Sequence, residues 1–231
     1  WVAARVEFLL RQSGCSGPAY GTIAAGGRAA TILHYVRNDR KLQDGELLLL
    51  DAGGEFGGYA ADVTRTMPVG RTFSAAQAQL YDTVVAAQQA AIDAAVPEAA
   101  HERVHQAAVE VLVDGMIDAG LLEGSRAECI EKESFKRFYM HGTSHWLGMD
   151  VHDAGDYRRG DSSRPLEPGM VLTVEPGIYV PVADDIPERF RGIGIRVEDD
   201  VLITPSGHEV LSEGLPKQRD EIERVRGRAL S

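Results

Sequence analysis

The chain has 231 residues, 44% of them hydrophobic, with a formal net charge of -11 and only two cysteines, a length that suits one large α/β domain better than two small ones. An acidic balance without any cluster of Lys and Arg excludes nucleic acid and anionic membrane surfaces as partners, because both are held by clustered cations. Cys15 and Cys129 are too few for a disulfide scaffold, no apolar run approaches the roughly 20 residues of a membrane span, and no secretory signal opens the chain, so the cytoplasm is the expected compartment.

The chain opens on Trp1, and a segment upstream is expected to be missing. Val2, Val6, Leu9 and Leu10 form one helical stripe over residues 1–13, with Gly14 placed for a left-handed cap. Residues 20–37 read as strand, turn and strand around Gly26-Gly27, which puts His34 inside the second strand. The run ELLLLD at 46–51 predicts a strand covered on both faces. Glycines 53, 54, 57 and 58 turn it into a second strand at 59–68, so Asp51 and Asp62 are expected to face each other across a hairpin. A long helix follows, opened by the capping box of Ser74 and Gln77 and closed before Pro97. Helical spacing returns from Val104 to Met116, and 121–137 reads as a charged loop. The tail, 216–231, reads as a charged surface helix or a frayed end.

The second half echoes the first. LQDGELLLLDAG at 42–53 aligns with LEPGMVLTVEPG at 166–177, and Asp51 falls on Glu175. Such short similarity also arises between generic turn-then-strand segments, but the matched acidic residues favour a true repeat. Period-two alternation puts Arg196 and Glu198 on one strand face, with Ile195 and Val197 on the other, and sets Thr64 beside Asp62.

Five side chains stand out as metal ligands: Asp51, Asp62, His145, Glu175 and Glu198. Taken singly, a strand-end Asp is a turn former. Glu175 differs because it ends the apolar run MVLTV, where an unpaired carboxylate is rare; the competing account is a buried salt bridge to Arg65 or Arg196. A lone His is usually a core residue, yet His141, His145 and His152 crowd into HGTSHWLGMDVHD. Four carboxylates meeting in one cleft would repel unless two divalent cations cancel them. Gly142 excludes the H-E-x-x-H zinc-protease pattern, and Phe56 excludes an EF-hand over 51–62. No G-x-S-x-G elbow is present, and the GIG at 192–194 lacks the rest of a dinucleotide fingerprint.

Together DAGGEFGGYAADVTRT (51–66), HGTSHWLGMDVHD (141–153), TVEPGIYV (173–180) and RGIGIRVEDD (191–200) resemble the motifs of the pita-bread metallopeptidases. Ser144, Trp146 and the RGIGIR lead-in resemble the bacterial aminopeptidase P branch more than prolidase. The resemblance implies an α+β pita-bread fold with a pseudo-twofold repeat over 1–231, a curved antiparallel sheet covered by helices, without the family's N-terminal domain and the start of its first helix. It implies that Asp51 binds one metal, that Asp62 and Glu198 bridge two, and that His145 and Glu175 complete the second. Manganese is the ion implied, with Co(II), Fe(II) or Zn(II) as alternatives; oxygen donors with one imidazole suit Mn, Fe or Co independently of the resemblance. Glu175 is then the proton acceptor, His152 and His34 contact the substrate and the intermediate, His141 and His152 line the proline pocket, and Arg196 and Tyr179 support the site. The implied substrate is a peptide beginning Xaa-Pro, cleaved after its first residue. Prolidase-like dipeptide cleavage is the nearest alternative, and a catalytically inactive interaction module is the alternative from another class. A homo-oligomer is left open.

Overall fold

The longest apolar runs become the central strands. In the computed structural model, which describes residues 1–229, the chain begins with α1 (Val2–Gln12), β1 (Gly17–Pro18), β2 (Ile23–Gly26), β3 (Leu47–Asp51), β4 (Gly54–Phe56), β5 (Tyr59–Ala60) and β6 (Thr64–Pro68). Helices α2 (Ala75–Ala94), α3 (His101–Asp118) and α4 (Arg126–Glu131) follow. The second half holds β7 (Arg158–Arg159), β8 (Ser162–Ser163), β9 (Val171–Val174), β10 (Gly177–Tyr179), β11 (Gly194–Arg196), β12 (Asp199–Thr204), β13 (Gly207–Val210) and α5 (Arg219–Ala229).

The repeat seen in the sequence is built as two antiparallel pairs, β3 with β6 and β9 with β12. Asp51 ends β3, and Glu175 immediately follows β9. A third segment flanks each pair. β2 runs antiparallel to β3, and residues 143–147 run antiparallel to β9, with Thr173 N–H donating to the His145 carbonyl (3.0 Å) and Glu175 N–H to the Thr143 carbonyl (2.8 Å). The halves are stitched where β6 meets the segment after β11. Glu198 N–H donates to the Thr64 carbonyl (3.1 Å), and Thr66 Oγ1 donates to the Arg196 carbonyl (2.8 Å).

Helix α2 packs against α3 and across β9, β10 and β11. Its N-terminus is fixed by the anticipated capping box: Ser74 Oγ accepts from Gln77 N–H, and Gln77 Oε1 accepts from Ser74 N–H. One core unites both halves and the helices, with Leu49, Val84, Leu112, Val174, Ile195 and Val197 among its members.

Three expectations are corrected. His34 lies in a turn, not a strand. The Asn38 side chain occupies the pairing edge of β2, accepting from Ala24 N–H and donating to the Thr22 carbonyl (both 2.7 Å), so no strand can form there from residues 32–37. Residues 59–68 are not one strand either. Tyr59 and Ala60 belong to a small hairpin, β4–β5, that pairs with β1, and Asp62 falls in the link to β6, so Asp51 is in register with Thr64 and not with Asp62. The stretch read as loop at 121–137 contains α4, whose own capping box, Ser125 with Glu128, is plain in the sequence once sought.

Gly53 makes the insertion of that hairpin feasible. A Cβ there would sit 1.6 Å from the Ala61 carbonyl oxygen, so no larger residue lets the backbone pass beside the residue preceding Asp62.

Candidate metal centre

Each carboxylate of the anticipated set is delivered by a different strand end, and all five expected ligands line one cleft of about 470 Å3. Asp62, His145 and Glu198 each offer a ligand atom within 4.8 Å of the others'. His145 Nε2 lies 3.5 Å from Asp62 Oδ2 and 3.4 Å from Glu175 Oε1. Its other nitrogen, Nδ1, is 3.1 Å from the Trp146 carbonyl. That contact fixes the ring so that Nε2 faces the acids. Asp51 sits at the far side, where Arg196 Nη2 donates to its Oδ2 and the Tyr20 hydroxyl is 2.5 Å from its Oδ1. The same hydroxyl is 2.5 Å from Oδ1 of Asp62, so one proton is shared by two carboxylates.

The charges do not balance. Asp51, Asp62 and Glu198 are only 6%, 6% and 2% exposed, and Glu175 lines the same cleft, yet Arg196 is the one guanidinium among the lining residues. Arg65, the other candidate partner for Glu175, binds Asp199 instead at 2.6 Å. The crowding moves protons. Burial, reinforced by the neighbouring carboxylates and opposed by Arg196, pushes Glu175 up to about 7. Burial and the charge of Asp62 raise Glu198 well above the usual carboxylate range. Burial also raises Asp51 despite Arg196. At His145 burial works against the imidazolium, but Asp62 and Glu175 outweigh it and raise its pKa. A buried cluster of acids with one cation is the environment that divalent metal offsets. Oxygen donors with one imidazole and no thiolate fit a hard or borderline ion.

The remaining expected residues surround this cluster. His34, His141, His152 and Arg196 line the cleft with Ile23, Leu33 and Val36. His152 packs edge-on against His145, ring centroids 4.4 Å apart. His141 Nδ1 is 3.8 Å from Glu175 Oε2, and burial holds its pKa down to about 4, so the ring is neutral near pH 7. Tyr179 is outside the cleft lining but directly behind it, its hydroxyl 2.8 Å from His141 Nε2 and accepting from Arg196 Nη1 at 3.0 Å. Thr64 Oγ1 donates to Glu198 Oε2 (2.5 Å) and accepts from Arg196 Nε (3.1 Å), so it supports the ligand candidate of the other half and not Asp62, beside which strand alternation sets it. Tyr20 was not anticipated. It lies in the irregular link between β1 and β2, and no periodicity marks it.

Residues 2–205 match the model of metallopeptidase family M24. The chain is 46% identical over 208 residues to the Xaa-Pro aminopeptidase of Haemophilus influenzae, covering 90% of this chain and 48% of that one. To the Xaa-Pro aminopeptidase of Escherichia coli it is 45% identical over 218 residues, with 94% and 49% covered. The chain thus spans about half the length of these relatives. Among solved structures, the Pseudomonas aeruginosa aminopeptidase PepP superposes with a TM-score of 0.96 at 48% identity, covering 98% of this chain and 51% of that one. Escherichia coli aminopeptidase P with its inhibitor Pro-Leu gives 0.95 at 42%, again with 98% and 51% covered. The architecture is therefore the pita-bread fold, and the chain belongs to metallopeptidase family M24.

Proposed function

We propose that this chain is the catalytic part of a metal-dependent Xaa-Pro aminopeptidase that binds two divalent ions, manganese in the cell. The observation that carries this reading is the buried excess of carboxylate over guanidinium in one cleft. Asp62 and Glu198 would bridge the ions, Asp51 would complete one of them, and His145 and Glu175 the other. Bound there, the cations would acidify a water and polarise the scissile carbonyl.

The chain's own residues supply the rest. Glu175, within reach of both His145 and His141, takes the proton of the attacking water and passes it to the proline nitrogen as the C–N bond breaks. That nitrogen belongs to a tertiary amide with no N–H of its own. Recognition must then come from shape, and the cleft offers Ile23, Leu33, Val36 and Val151 as apolar wall beside neutral His141 and His152. His34 and His152 contact the substrate and the tetrahedral intermediate. Arg196 and Tyr179 hold Asp51 and His141 in place. The free thiols Cys15 and Cys129 fit a reducing cytoplasm.

Cleavage of a Xaa-Pro-Xaa tripeptide by the chain loaded with Mn(II) tests the assignment. Release of the first residue, abolished by chelation and restored by Mn(II), is the expected result; a folded chain that binds metal but releases nothing overturns it. Faster cleavage of Xaa-Pro dipeptides than of tripeptides would reassign the chain to dipeptidase. Elemental analysis is expected to give two equivalents of metal per chain.

A further inference from the structure

Residues 141–145 bring His141 and His145 into the cleft, and Gly142 and Ser144 line it as well. Thr143 is the exception. It is 1% exposed, and its Oγ1 lies 2.8 Å from Nδ1 of His105, on α3, and 2.6 Å from the Tyr139 hydroxyl. Its backbone carbonyl meanwhile accepts the Glu175 N–H at 2.8 Å. One residue thus ties the helix layer to the strand end that presents Glu175.

Counting hydrogens orders this network. Burial raises the Tyr139 pKa well above that of a free phenol, so the hydroxyl keeps its hydrogen. Burial, with Lys136 nearby, lowers His105 below 6.5, so its ring is neutral near pH 7. Were His105 to donate from Nδ1, the hydrogens of Tyr139 and Thr143 would compete for the one line between their oxygens, and one would find no acceptor among the described residues. With Tyr139 donating to Thr143 and Thr143 donating to Nδ1, each hydrogen is used. The ring hydrogen then sits on Nε2, and His105 also borders a surface concavity of about 400 Å3 where water can accept it. Apolar residues at 105 and 143 would fill the same space without burying polar groups. A satisfied polar network instead holds one geometry where apolar packing admits several.

We propose that His105 is a positioning residue for the metal centre: by accepting from Thr143 at Nδ1 it fixes residues 141–145 against Glu175, and with them the place of His145. The inference rests on the metal-dependent reading of the cleft. It assigns His105 no contact with substrate or metal.

The test measures Mn(II) binding to the metal-free chain by calorimetry, together with kcat and KM for Ala-Pro-Ala and urea unfolding. Thr143→Val and His105→Phe are each expected to raise the Mn(II) midpoint about tenfold and to lower kcat about tenfold, with KM within about twofold. The double variant should cost no more than the larger single one, because the same path is cut twice. His105→Asn places an amide oxygen near the position of Nδ1 and should return the midpoint to within about threefold of the parent. Thr143→Val is nearly isosteric and carries the test where His105→Phe fails to fold. In 15N spectra of the parent, His105 should be the Nε2–H tautomer. The proposal is overturned by unchanged Mn(II) midpoints in the single variants, even where stability falls, since a merely structural contact gives that result. Additive losses in the double variant, no recovery in His105→Asn, or an Nδ1–H tautomer overturn it too. A parent that binds Mn(II) but leaves Ala-Pro-Ala intact overturns the peptidase reading alone, and the Mn(II) midpoints then decide this inference; a parent that binds no Mn(II) overturns both.

Discussion

Glu198 and Asp199 are neighbours in sequence, both acidic and both buried, yet the structure treats them in opposite ways. Asp199 points into the support layer, where Arg65 (2.6 Å), Lys217 (2.7 Å), Ser212 (2.6 Å) and Gln88 (3.0 Å) converge on its two oxygens. Burial alone would raise its pKa, but Arg65, Lys217 and Ser212 reverse that and hold it below the usual carboxylate range. Glu198 points into the cleft, where Thr64 gives one hydrogen bond and the nearest charges are other carboxylates, so burial and Asp62 drive its pKa up. One acid is satisfied by the protein itself; the other has a single hydrogen bond from Thr64 and no ion pair among the described residues. Chemical type and burial thus say little about role, and the balance of neighbouring charge says much more.

The sharpest way to break this comparison is to neutralise each acid in turn. Glu198→Gln is expected to lower kcat/KM for Xaa-Pro peptides by about 10³-fold or more, by analogy with the loss of a transition-state-stabilising group. The same variant should keep the unfolding midpoint of the metal-free protein, because the side chain has no cationic partner to lose. Asp199→Ala should do the reverse. Removing one partner of a buried ion pair leaves Arg65 and Lys217 uncompensated, which costs about 3–5 kcal/mol in urea unfolding. Activity per folded molecule should survive within a few-fold, since Asp199 faces away from the cleft. If Asp199→Ala unfolds normally while Glu198→Gln melts the metal-free chain, the assignment of roles is inverted.

How legible this was in the sequence follows the same division. The four acids and one imidazole that line the cleft were readable because a carboxylate at the end of an apolar strand is anomalous on its face, and β3 and β9 formed where their apolar runs lie. Helix α2 was readable from Ser74 and Gln77. What escaped were features set by tertiary contact. Nothing local tells Arg65 to choose Asp199 over Glu175, since both are reached only when the two halves meet along β6. Tyr20 is invisible for the same reason, its role arising from contacts 31 and 42 residues away. The failure at His34 traces to Asn38, a side chain that mimics a strand partner, which propensity alone does not register.

Tyr20 sharpens the comparison at a smaller scale, because it is the cleft's neutral counterpart to Lys217 behind Asp199. Burial, with the charges of Asp51 and Asp62, raises its pKa far above that of a free phenol, so the hydroxyl remains a donor throughout the working range. Tyr20→Phe deletes the shared proton without emptying the space. The expected result is a loss of metal affinity of about tenfold, at the low end for groups that orient ligands, read as the Mn(II) concentration that restores half of full activity. An unchanged titration would show that Asp51 and Asp62 hold position without it.

The smallest expected effect concerns a second contrasting pair, His145 and His101, on either side of Trp146. His145 has carboxylate neighbours and is raised. His101 packs against Trp146 (4.8 Å) and Tyr157 (5.0 Å) with Nε2 unpartnered, and burial lowers it from 6.5 to about 4. Its folded-state pKa is depressed, so the unfolded chain binds the extra proton more readily. The contribution is therefore fully present above the unfolded value of 6.5 and is lost as pH falls toward 4. His101→Phe keeps an aromatic ring against Trp146 and cannot be protonated. Between pH 7 and pH 4 the variant should gain about 1 kcal/mol on the parent in urea unfolding, the full linkage being reduced because the ring is partly exposed. Parallel stability curves for the two proteins would mean that His101 is hydrated in solution, and the contrast with His145 would then rest on distance from the acids alone.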